Sequence, residues 1–134
     1  MTLNRDARSL ENWMHARVAK AFRVTTLSDF EAGVLSKGYV TRQDYEEAYR
    51  LYVEKMTAAG FIVEKIVDDS GYYVRNYSSR RRNELFSRGD SPASEVSRLD
   101  EEERSLSQGC EVGTFQLIST IFREQSEPSS QFDD

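Results

Sequence analysis

Apolar side chains recur at helical spacing over residues 41–59. Tyr45, Ala48, Tyr49, Tyr52, Val53, Met56 and Ala59 make one stripe on a 3.6-residue repeat, and Glu46, Glu47, Arg50, Glu54 and Lys55 fall mostly elsewhere. Thr41 precedes this run and Asp44 follows it by three, the spacing of a capping box with Asp in the place of Glu. Gly60 supplies a stop, because it enters the left-handed region without a Cβ penalty. The pattern then changes period. Residues 61–67 are rich in β-branched side chains and predict a strand. Asp68-Asp69-Ser70-Gly71 is turn chemistry, and residues 72–77 form the return strand. Two strands alone are marginal in water, so this hairpin must pack on a helix. The tyrosine stripe is its expected partner.

On either side the same periodicity predicts further helices. Leu10, Trp13, Met14, Val18, Ala21 and Phe22 share a face over residues 5–22. Ser28 and Glu31 form a second capping box before Phe30, Val34 and Leu35, with Gly38 as the stop. Residues 78–87 turn polar and basic, with Leu85 and Phe86 their only large apolar side chains, and 78–93 read as a basic mobile loop. Residues 94–107 predict a short exposed helix ending before Gly109. After Gly113 and Thr114, Phe115, Ile118, Ile121 and Phe122 share a face that must dock on the core. The expected organisation is a helical core with a hairpin over 1–77, the loop over 78–93, and packed C-terminal helices over 94–125. An acidic disordered tail follows over 126–134. The fold class is α+β: a small single domain of four to five helices with a two-stranded antiparallel hairpin.

At 134 residues the chain is long enough to bury a core. Its net charge of −5 conceals an asymmetry. Residues 1–93 carry 15 basic and 13 acidic side chains, whereas 94–134 carry 3 and 10. That distribution disfavours nucleic acid as the partner. No run of about 18 apolar residues occurs, so no membrane-spanning helix is expected. The first residues lack the apolar segment of an export signal, and the single Cys110 cannot form an intrachain disulfide. Both features predict a cytoplasmic protein.

Candidate chemistry is sparse. One cysteine and one histidine do not make a zinc site, and Asp68-Asp69-Ser70-Gly71 lacks the distal Glu of a calcium loop. There is no glycine-rich phosphate loop. His15 has no acid or nucleophile that the spacing pairs with it, and acid–base chemistry needs such a positioned partner. No catalytic residue, metal ligand or cofactor is therefore expected, and the chain is not read as an enzyme. Arg80, Arg81 and Arg82 are the partner-contact candidates. Such a run can contact phosphates, or it can pair within the chain, where the acidic run 100–103 is the intramolecular candidate.

One stretch carries a resemblance. Leu35, Gly38, Val40-Thr41, Asp44-Tyr45 and Ala48, then Tyr52-Val53-Glu54-Lys55-Met56 and Ala59-Gly60, resemble a group of small uncharacterised actinobacterial proteins, usually exported or lipid-anchored. Cys110, Ile118 to Phe122 and Glu127-Pro128 are similar to that group's C-terminal part. Lys55 stands where those proteins carry a first cysteine, so the disulfide that the resemblance implies to Cys110 has no partner here. This departure and the missing export signal fit a cytosolic or phage-borne relative. The resemblance implies that Cys110 lies near Lys55 and that the last helix packs beside the central one. It implies no activity. The expected function is a non-enzymatic protein–protein interaction or structural module of unknown partner. The alternative is a winged-helix-like DNA-binding regulator, since three helices followed by a hairpin is that order of elements. Against it, the exposed face of the third helix is net acidic and would repel phosphates.

Overall fold

A computed structural model describes residues 2–24, 26–87, 89 and 92–126, with side chains described from residue 12 to 125 within these spans. Six helices and two small antiparallel ladders occur among the described residues, so the α+β class holds. The helices are α1 (Thr2–Val24), α2 (Asp29–Leu35), α3 (Arg42–Ala58), α4 (Arg80–Ser87), α5 (Ala93–Glu111) and α6 (Phe115–Ser126). The strands are β1 (Phe61–Val63), β2 (Ile66–Val67), β3 (Tyr73–Val74) and β4 (Tyr77–Ser79). Two compact units can be distinguished, Met1–Ala48 with Gly113–Asp134, and Tyr49–Val112. The helix α3 contributes its first turns to one and the remainder to the other.

The first unit is helical. Its core is Met14 and Ala21 of α1, Val34 and Leu35 of α2, Val40, Tyr45 and Ala48, and Phe115, Ile118 and Ile121 of α6. The Tyr45 ring stacks on Phe122 at 4.7 Å and meets Phe115 at 5.3 Å, which brings α6 beside the start of α3. Both expected capping boxes form. Ser28 Oγ accepts from the Glu31 N–H while Glu31 Oε1 accepts from the Ser28 N–H. Thr41 Oγ1 and Asp44 exchange the same pair of bonds, each at 3.0 Å. Ser28 also donates to the Gly113 carbonyl at 2.7 Å, and a Cβ at Gly113 would stand 3.4 Å from the Ser28 Cβ. Gly113 has φ +83°, so glycine serves both the turn and the close approach. The Gln125 side chain grips Val40, accepting from its N–H at 2.9 Å and donating to its carbonyl. Arg17 of α1 and Glu124 of α6 pair at 2.8 Å. One expectation for α1 changes. Phe22 is exposed, not part of the apolar face, because Met14 and Ala21 already define the buried side. Leu10 lies outside the described side chains.

The second unit joins the rest of α3 to the hairpin, α4 and α5. The hairpin is one structure with a gap. Val63 pairs with Tyr77 and Ile66 with Val74, three residues on and three back, so both ladders keep one register. The Glu64 N–H reaches the Asn76 carbonyl at 3.0 Å across the interruption. At the tip, Asp68 Oδ1 accepts from the N–H groups of Ser70 and Tyr72, and Gly71 has φ +85°. As expected, the stripe on α3 meets the hairpin: Tyr49 stacks on Tyr73 with centroids 4.1 Å apart, and Tyr52, Met56, Phe61, Tyr72 and Tyr73 are buried.

Two expectations fail in this unit. The stretch 78–93, expected as a mobile loop, instead holds the end of β4 and the helix α4. Ser79, the last residue of β4, accepts at Oγ from the Arg82 N–H three residues on, which is an N-cap arrangement. Leu85 buries the inner side of α4. The second failure concerns α5, which continues through Gly109 to Glu111. Leu99, Glu103, Ser107 and Cys110 form its buried stripe, and that packing outweighs the cost of about 1 kcal/mol for a helical glycine. The expected acidic tail lies outside the described residues from 127 onward.

Candidate partner-binding surface

The hairpin carries two unlike faces, because alternate residues point to opposite sides of a strand. Phe61, Tyr73 and Ser79 belong to one face and are buried, whereas Val67 and Tyr77, which the register puts on that same face, are 50 and 39% exposed. Ile66 and Val74 stand directly opposite one another on the other face, and Ile62 follows on the same side. These three are 46, 36 and 38% exposed for Ile62, Ile66 and Val74 respectively. No third strand joins either ladder among the described residues. This apolar face was not singled out from the sequence. The run Phe61-Ile62-Val63 looks like a strand buried on both sides, and only the register separates Ile62 from Phe61.

The arginine triplet lies in the first turn of α4. Arg80 is exposed. Arg81 pairs with Glu102 of α5 at 2.8 Å, with both side chains about half exposed (51 and 47%). Arg82 pairs with Asp100 of α5, and its guanidinium lies 5.4 Å from the centre of the Phe86 ring. Three cations at a helix N-terminus oppose the helix dipole, and α4 has no acid in its first turn. The α5 carboxylates supply the missing negative charge. The intramolecular role considered for residues 100–103 is therefore present for Asp100 and Glu102. Between α4 and α5 is a cleft of about 220 Å³. Leu85 and Leu99 form its apolar lining, and Arg81, Arg98, Glu84, Glu95 and Glu102 its charged lining.

The groups most often used in chemistry are placed as follows. His15 is exposed on α1. Cys110 is buried and in no disulfide; burial raises its thiol pKa, the Lys55 charge lowers it and the Glu111 charge raises it. Lys55 thus lies within electrostatic reach of Cys110. A thiol held protonated is a poor nucleophile. Tyr52 is buried beside Arg75 and Glu111, which form an ion pair. Burial, then the Glu111 carboxylate and Tyr77, push its phenol above the ordinary value of 10.0. Burial works against the charge of Asp44, but hydrogen bonds from Lys37 and Thr41 outweigh it and hold the carboxyl below 3.8. Among the described residues no three His, Cys, Asp or Glu side chains are placed to hold a metal ion, and no helix is long and apolar enough to cross a membrane. Comparison of the chain with protein-family models, with curated proteins and with solved structures found no match.

Proposed function

We propose that this chain is a non-enzymatic module that binds a protein partner, with the outward face of the hairpin as its contact. The observation that carries this reading is the grouping of Ile62, Ile66 and Val74 on one solvent-facing side of a two-stranded ribbon. Exposed apolar side chains scattered singly are ordinary, whereas a contiguous set is a common mark of an interface. Two-stranded ribbons also gain stability from a further layer or strand. Arg80 is exposed, and Arg81 and Arg82 pair with α5 while their side chains stay 51 and 40% exposed. The proposed setting is the cytoplasm of an actinobacterium or of a phage that infects one, a reading supported by the motif around residues 35–61 and by Lys55 in place of a cysteine.

The winged-helix alternative draws less support. The exposed side of α3 mixes Glu46, Arg50, Glu54 and Lys55, and Arg50 pairs with Glu54 four residues on. The test uses the full chain and the double variant Ile66→Lys, Val74→Lys, with circular dichroism to establish that both fold. The expected result is a stoichiometric protein partner retained by the wild type and lost by the variant. Equal retention by both would overturn the assignment of the contact to this face. A salt-dependent shift of duplex DNA by the wild type would favour the alternative.

A further inference from the structure

We draw no further inference here: the strongest candidate, the identity of what occupies the outward hairpin face at Ile62, Ile66 and Val74, carries nothing beyond the proposal above because nothing in the structure shows what covers it.

Discussion

The two units solve the same problem with different materials. The helical unit holds α2, α3 and α6 together mainly with aliphatic and ring packing, two capping boxes, the Ser28 bond to Gly113 and the Gln125 clamp, beside the ion pairs Arg17 with Glu124 and Lys37 with Asp44. The hairpin unit relies on tyrosine rings and on ion pairs, Arg75 with Glu111, Arg81 with Glu102 and Arg82 with Asp100. The contrast follows from composition. α6 offers Phe115, Ile118 and Ile121 on one face as fully buried side chains, with the Arg17–Glu124 pair at its edge. α4 offers Leu85 alone as a buried side chain and begins with three arginines, two of which meet carboxylates of α5. A short helix of poor intrinsic preference persists where tertiary partners compensate for it.

This comparison can be broken most strongly in the cores. Tyr52→Ala or Phe61→Ala in the hairpin unit should cost about 3–5 kcal/mol, and Ile118→Ala in the helical unit about 2–5 kcal/mol, in urea denaturation. A loss under about 1 kcal/mol at Tyr52 would show that the tyrosine stripe is not core.

The two ends of the pH scale should separate the units. Tyr52 has a raised pKa in the fold, so its contribution is complete below pH 10 and is lost as the pH climbs above that value. Asp44 has a lowered pKa, so its contribution is complete above 3.8 and is lost as the pH falls below it. Residue-resolved hydrogen exchange should show alkaline loosening around Tyr52 that Tyr52→Phe abolishes, and acid loosening around Asp44 that Asp44→Asn abolishes.

Smaller still are the caps. Thr41→Ala should cost about 1 kcal/mol by thermal denaturation. Ser28→Ala should cost more than Thr41→Ala, because the Gly113 bond, a further 0.5–1.5 kcal/mol or so, is lost with the cap. Smallest are the exposed pairs. Arg81→Gln or Arg82→Gln should each cost less than about 1 kcal/mol, and the difference from wild type should shrink in 1 M salt. If salt instead destabilised the helical unit more, the division of labour argued above would be wrong.

Where local chemistry decided the structure, the sequence was legible. Ser28 with Glu31, Thr41 with Asp44, and the stops at Gly38 and Gly60 depend on neighbours three or four residues away, and each forms as read. The hairpin was legible too, because its β-branched run and its Asp-Ser-Gly turn are local signals. What escaped was non-local. α4 has the composition of a loop, and it is a helix because Ser79 caps it and α5 neutralises it. Gly109 looked like a terminus, but the buried stripe ending at Cys110 carries the helix past it. The candidate surface escaped for a related reason: burial distinguishes Ile62 from Phe61, and adjacent residues in an unbroken apolar run do not reveal which points inward.

Gln125 presents to Val40 one acceptor and one donor, the same hydrogen-bonding complement that a residue of a neighbouring strand would offer. The α2–α3 connection thereby receives from the end of the last helix what it could not obtain from a sheet. Since an amide carries no charge, that latch should stay shut across the acidities and ionic strengths that loosen the rest. Shortening the protein to residue 124 should release the backbone at Val40 while leaving the Tyr45–Phe122 stack in place.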